Sequence, residues 1–397
     1  MSRALLLALL GTAAAAVAAD PPPAQLDLFE SRTGGYALYR IPGVVVTAKG
    51  SVLVYCEARK SERGDWGHID LLVRRSADRG KTFDPPAPLP TAPGPHRRNP
   101  LAEKQKLGKE GEVTYNNPVM IADRDGSVHL LFCVEYMRCF YSRSTDDGRT
   151  WAAPREITSA FDAFRPEYAW QVLATGPGHG IQLKSGRLVV PVWLSLGTGG
   201  HAHRPSVTTT VVSDDGGATW TRGDIAVPNT AEWVNPNEAT VAEMPDGRVM
   251  LNARTESKAN RRVVTVSPDG ATKWSPPAFD AALPEPICFG SLLSLPGPRP
   301  LLVFSNPDTL EKTGGKAVPG QGRDRKNVSL RVSADAGKTW GKAKVVEPGW
   351  SAYSDLAPAP DGGAYLFYER ARTEGATELR YGRLTLAHLP AAWLRPD

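Results

Sequence analysis

The sequence predicts an all-β fold, a six-bladed β-propeller with four-stranded antiparallel blades. Three observations carry that expectation. An octapeptide of the form Ser-x-Asp-x-Gly-x-Thr-aromatic recurs as SADRGKTF at Ser76, STDDGRTW at Ser144, SDDGGATW at Ser213 and SADAGKTW at Ser333. Paired apolar runs flank six tight-turn sequences, TAKG, ADRDG, LKSG, MPDG, PGPRP and PDGG. Glycine (38 residues) and proline (35 residues) are abundant and no long polar run occurs, which suits a turn-rich globular chain.

Each octapeptide follows a short β-type run, DLLVRRS, RCFYSRS, VTTTVVS or NVSLRVS, so a strand enters it. Its Ser and Asp side chains can bond the backbone of a tight turn, its Gly can take a positive φ, and its closing Trp or Phe can fold under as an apolar peg. A fifth copy, SPDGATKW at Ser267, keeps the Ser, Asp and Trp and shifts the Gly. The aspartates Asp78, Asp146, Asp215, Asp269 and Asp335 lie 54 to 69 residues apart, the length of one supersecondary unit. Six such units make a propeller with strands A to D in each blade. The sixth has a C strand in TELRYGRLTL but almost no chain left for D. The N-terminal run QLDLFE is expected to fill that place and remove two open edges. A tandem of small β-sandwiches would explain the turns but not the repeated octapeptide.

At the N-terminus, MSRALLLALLGTAAAAVAAD places Arg3 before a leucine- and alanine-rich run that ends in small residues at Ala18 and Ala19. This pattern predicts a signal peptide over residues 1–19 and a single propeller domain over 20–397, secreted or periplasmic. The apolar run is too short for a membrane span and no second one exists. A formal charge of +5 suits an anionic ligand, while the absence of a basic cluster interleaved with aromatics argues against nucleic acid. Cys56, Cys133, Cys139 and Cys288 lack zinc-site spacing. Only Cys133 and Cys139 are close enough to oppose each other on adjacent strands, as a bridge or as two buried thiols. The His-x-His at His201 has metal-like spacing but no clear third ligand, and reads as a solvated loop, so no metal and no cofactor are expected. GPGHGIQL at Gly176 lacks the lysine of a phosphate loop and reads as a third-blade strand with its approach loop.

In an up-and-down meander the octapeptides fall in C–D turns, on the face opposite to the starts of A and C and the end of B. They are therefore structural pegs. The opposite rim collects Arg40 and Arg59 from blade 1, with Asp65 in its B–C loop. Glu238 and Arg254 come from blade 4, Arg325 from blade 5, and Tyr353 and Glu369 from blade 6. Strand-end charges are commonly solvated or paired. Four arginines, three carboxylates and a tyrosine at one mouth instead suggest a pocket for an acidic ligand.

At these residues the chain resembles the exo-α-sialidases, bacterial and lysosomal-type, with Asp-box repeats. The matching elements are YRIP, CEARK with Asp65 six residues beyond Arg59, NEATVAEMPDGRVMLNAR, RKNVSLRVSADAGKTW, and SAYSDL followed by YER. The resemblance implies an arginine triad of Arg40, Arg254 and Arg325 for a substrate carboxylate, with Glu369 orienting Arg40 and Arg59 lining the pocket. Arg323 and Arg331 compete with Arg325, which stands two residues before Asn327 as the resembling motif places it. The resemblance further implies Asp65 as the acid, Tyr353 as the nucleophile and Glu238 as its base, acting on sialylated glycans, glycoproteins or glycolipids with retention. The alternatives are a trans-sialidase-like transglycosylase and a non-catalytic, glycan- or partner-binding Asp-box propeller.

Overall fold

Residues alternate along each strand between two neighbouring sheets, and that alternation builds the core. The computed structural model describes residues 23–395; the expected leader over residues 1–19 lies outside them. In the strand Val52–Arg59, Val52 and Val54 pack with Phe367, Leu384 and Leu386, while Leu53 and Tyr55 pack with Met120, Leu130 and Phe132. The strand is buried on both faces, which is why it reads as a continuous apolar run. The same division recurs between successive sheets: Val119 and Ile121 meet Val190 and Val192, and Val189 meets Val241 and Leu251. Further along, Met250 meets Leu292 and Phe304, and Val303 and Leu330 meet Leu356 and Leu366.

The fold is all-β and its strand pairing is antiparallel. One four-stranded sheet runs Leu38–Val46, Val52–Arg59, Ile69–Ser76 and Ala87–Pro88, and a second runs Tyr115–Ala122, Val128–Val134, Arg138–Ser144 and Arg155–Glu156. In the third, Val172–Thr175 and Ile181–Gln182 both pair with Leu188–Ser195, which continues to Ser206–Ser213 and Thr221–Arg222. Gly176–Gly180 separates the two short strands, so GPGHGIQL is a strand and its approach, as expected. The fourth sheet runs Ala239–Glu243, Val249–Ala253, Arg261–Ser267 and Ala278–Pro284. The remaining chain departs from the expectation of separate four-stranded units, because it forms one seven-stranded sheet. The long strand Lys344–Pro358 pairs through its first half with Lys326–Ser333 and through its second with Ala364–Glu374, so no break divides the two units. Ala24–Glu30 pairs with Thr377–Leu389, the place expected for QLDLFE.

Each octapeptide is a hydrogen-bonded turn whose aromatic enters the core. Ser333 Oγ donates to Asp335 Oδ1 at 2.8 Å, and Asp335 accepts the amide of Thr339 at 2.9 Å and its hydroxyl at 2.6 Å. Asp78, Asp146, Asp215 and Asp269 repeat the pattern. Phe83, Trp151, Trp220, Trp274 and Trp340 then pack into five different core clusters. The four cysteines are free and buried. Cys133 and Cys139 oppose each other directly in register, as two thiols.

Where the sheets meet, Asp355 is wholly buried and accepts from three of them: the Val44 amide at 2.9 Å, Ser291 Oγ at 2.8 Å and His179 Nδ1 at 2.8 Å. Burial pushes the His179 imidazole down, but Asp355 outweighs it and raises its pKa.

Candidate active site

Local backbone irregularity at the strand starts aims the functional side chains. In YRIPG the pairing with Val52–Arg59 skips between Arg40 and Gly43, a bulge that turns Arg40 into the cleft. Ile41 within it has φ 60°, a strained conformation for a β-branched residue. Gly43 cannot be replaced without movement, since a Cβ there would lie 2.1 Å from the Tyr55 ring. A second bulge falls between Ser351 and Ser354, at Tyr353.

Glu369, wholly buried, organises this corner. It takes Arg40 Nε at 2.7 Å and Nη2 at 3.2 Å on its two oxygens, the Ile41 amide at 3.1 Å and the Tyr353 amide at 3.1 Å. One carboxylate thus holds a guanidinium, a strained backbone and the tyrosine's strand.

Tyr353 Oη donates to Glu238 Oε1 at 2.5 Å and accepts from Arg254 Nη1 at 2.8 Å, while Arg254 also pairs with the other oxygen of Glu238. The Arg40 and Arg325 guanidinium carbons each lie 5.2 Å from the centre of the Tyr353 ring. Burial, then the Glu238 charge, pushes the phenol well above its ordinary pKa, against the pull of Arg254 and Arg325. Tyr353 is therefore a neutral phenol in contact with a base. Among the described residues the Arg325 side chain makes one hydrogen bond, to the Ile287 carbonyl at 2.9 Å, and no ion pair. Ile287 is the second isoleucine at a positive φ, 63°, so both strained isoleucines are tied to arginine corners.

Across the cleft, Arg59 bridges two carboxylates. Its Nε and Nη2 bond Glu57 Oε2 at 3.0 and 2.6 Å, and its Nη1 bonds Asp65 Oδ1 at 2.9 Å. The Asp65 side chain is 46% exposed at the mouth, whereas that of Glu57 is wholly buried and is anchored further by the Asn117 amide at 2.8 Å. Desolvation raises the Asp65 pKa, but the surrounding positive charges, Arg59 first and Arg40 after it, together with the Arg59 hydrogen bond outweigh it and hold this carboxyl well below the ordinary range.

Arg40, Arg59, Asp65, Glu238, Arg254, Arg325 and Tyr353 all line one cleft of about 210 Å³, and Glu369 lies beneath it. No octapeptide aspartate lines it. A larger hollow, about 540 Å³, sits beside the first octapeptide turn at Arg79 and Lys81 and collects none of these groups. Of the competing arginines, Arg323 is spent on the Val318 and Gln321 carbonyls and Asn260 Oδ1, and Arg331 pairs with Asp308.

The sequence reading missed one wall. His201, exposed as expected, and His203 both line the cleft, and His203 packs among Trp66, Tyr136 and Trp193, with ring centres 5.0 to 6.1 Å away. Burial pushes His203 down to about 4, so its imidazole is neutral. Tyr136 has φ 49° and Trp193 lies within the strand Leu188–Ser195 of the third sheet; no spacing in the sequence links them. Glu57 was passed over because it alternates with Arg59 inside an apolar strand.

The family model of the BNR repeat-like domain matches residues 96–366. A sialidase of Micromonospora viridifaciens is 28% identical over 405 residues, covering 93% of this chain and 55% of that protein. Sialidase-3 of Rattus norvegicus is 30% identical over 335 residues, covering 79% of this chain and 75% of that protein. Among solved structures, a Hadza microbial sialidase has a similar fold, with a TM-score of 0.73 at 24% identity, covering 94% of this chain and 69% of that one. The chain spans about half the length of the bacterial sialidases it matches. On the family match and these relatives together, the chain belongs to the exo-α-sialidase family with BNR repeats.

Proposed function

We propose that this protein releases terminal sialic acid from glycoconjugates by hydrolysis with retention, on a six-bladed propeller. The ring is supported by packing of first strands: Leu38–Val46 touches Tyr115–Ala122 on one side and Lys344–Pro358 on the other. The leader-like residues 1–19 support export, which a mature N-terminus near Asp20 would check.

The observation that carries the chemistry is Tyr353 Oη placed between Glu238 and Arg254. A sialoside bears a carboxylate on its anomeric carbon, so an anionic nucleophile is repelled and a neutral phenol is not. Arg40, Arg254 and Arg325 would take that carboxylate, since guanidinium forks match carboxylate geometry and stay charged at any working pH. Tyr353 Oη then attacks the anomeric carbon while its proton passes to Glu238; the glycosidic bond breaks and Asp65 protonates the leaving oxygen. In the second step Asp65 takes a proton from water, whose oxygen attacks the same carbon as the bond to tyrosine breaks and Glu238 returns the proton. Two inversions give retention. Tyrosine is a recognised exception to the two-carboxylate scheme of glycosidases. Because Arg59 disfavours the protonated form of Asp65, the donor is a minority species in the free cleft, and turnover of natural glycosides rises as pH falls.

Incubating the purified protein with an aryl α-sialoside and with 3′-sialyllactose tests this reading. Release of free sialic acid from both is expected, and release from neither would refute it.

A further inference from the structure

Beside the catalytic cleft lies a second cavity of about 470 Å³, which shares Arg204, Glu256 and Arg325 with it and continues past Ile287 to Lys312 and Arg323. Its charge is one-sided. Four of its side chains are cationic and one is anionic. That one, Glu256, is already saturated: Arg204 donates to Oε1 through Nε at 2.9 Å and Nη2 at 2.7 Å, and Asn235 Nδ2 donates to Oε2 at 2.8 Å. Lys312 is exposed and makes no ion pair among the described residues, and Arg325 gives one hydrogen bond to a carbonyl. Arg323, nine-tenths buried, keeps an Nε without a partner. The cavity therefore adds the positive charges of Lys312 and Arg323, with no free carboxylate of its own to balance them, to the side of the cleft that Arg325 lines.

We infer that this cavity is an aglycone subsite for a sugar that itself bears a negative charge, so that the enzyme favours sialic acid linked to an acidic residue over sialic acid linked to a neutral one. The inference rests on the hydrolytic reading above and adds the class of leaving group. Two chemistries supply such a charge, the carboxylate of a second sialic acid or a sulfate ester on a neutral sugar. Guanidinium and ammonium groups bind both, and the binding falls with ionic strength.

The experiment compares kcat/KM at low and high salt for three substrates: an α2,8-linked sialic acid dimer, 3′-sialyllactose, and a sulfated 3′-sialyl-lactosamine. With the intact enzyme, kcat/KM is expected to be higher on one or both anionic-aglycone substrates than on 3′-sialyllactose, with the advantage shrinking in high salt. Lys312→Glu should lower the anionic-to-neutral ratio by about fivefold, the upper range for exposed charge pairs, with little change on 3′-sialyllactose. An advantage confined to the dimer assigns the cavity to a second sialic acid, and one confined to the sulfated substrate assigns it to sulfate. Equal kcat/KM on all three with the intact enzyme, or a ratio unmoved by Lys312→Glu, overturns the subsite while leaving hydrolysis intact. Failure to cleave 3′-sialyllactose and the other two refutes the hydrolytic reading and the subsite with it.

Discussion

The Tyr353 hydroxyl lies 2.5 Å from Glu238 Oε1, so a buried phenol on the strand Lys344–Pro358 of the seven-stranded sheet is hydrogen-bonded to a carboxylate 115 residues earlier in the chain. Tyr353→Phe removes only the hydroxyl and should leave folding intact. It is expected to lower kcat by about 10²-fold or more, consistent with loss of a nucleophile activated by a positioned base. In the intact enzyme, proton NMR should detect the α-anomer of free sialic acid first. Initial β-anomer would exclude double displacement.

Arginine geometry predicts a second outcome. Arg325→Lys replaces a fork by a point charge, so KM should rise and kcat/KM should fall by more than tenfold, about 1.5 kcal/mol. Arg254→Lys should do the same and also lower kcat, because Arg254 touches both Glu238 and Tyr353. Unchanged steady-state kinetics in both variants would remove them from carboxylate binding.

Leaving-group chemistry isolates Asp65. Asp65→Asn should cripple cleavage of 3′-sialyllactose, which needs protonation of its departing oxygen, and should affect an activated aryl sialoside far less. The intact enzyme's kcat/KM on the natural substrate should climb towards acidic pH, as the carboxyl that Arg59 holds ionised gains its proton. Equal losses on the two substrates would give Asp65 another role.

Beneath the cleft, Glu369→Ala should destabilise the protein by about 3–5 kcal/mol in urea unfolding, because it strands the buried Arg40 guanidinium and two amides. The double variant Arg40→Met with Glu369→Leu should recover most of that stability without activity. A double variant no more stable than the single one would show that the backbone contacts, rather than the buried charge, dominate.

Acid stability should report the octapeptide turns. The threonine hydroxyls lower Asp146, Asp215 and Asp335 to about 2, beneath the ordinary 3.8. A depressed folded pKa gives stability that is present above about pH 4 and is lost as pH falls towards 2. Asp335→Asn should therefore lower the melting temperature at pH 6 and narrow its difference from the intact protein at pH 2.5. These turns are solvent-facing, so each contribution is small and screened by salt.

The sequence by itself determined the repeat, the all-β class, the N-terminal strand beside Thr377–Leu389 and the cluster Arg40, Arg59, Asp65, Glu238, Arg254, Arg325, Tyr353 and Glu369. Those are legible because strand periodicity and turn chemistry are local, and because strand order fixes which ends share a face. Tertiary structure decided the rest. Cys133 and Cys139 face each other as thiols, and Lys344–Pro358 runs unbroken through two units, because its first half and its second half find partners on opposite sides. His203, Trp66, Tyr136 and Trp193 form one wall although 137 residues separate the outermost two, and Glu57 is hidden behind Arg59. Such contacts depend on how bulges rotate individual side chains and on which neighbouring sheet each one meets. No pattern along a single strand encodes that distance between strands.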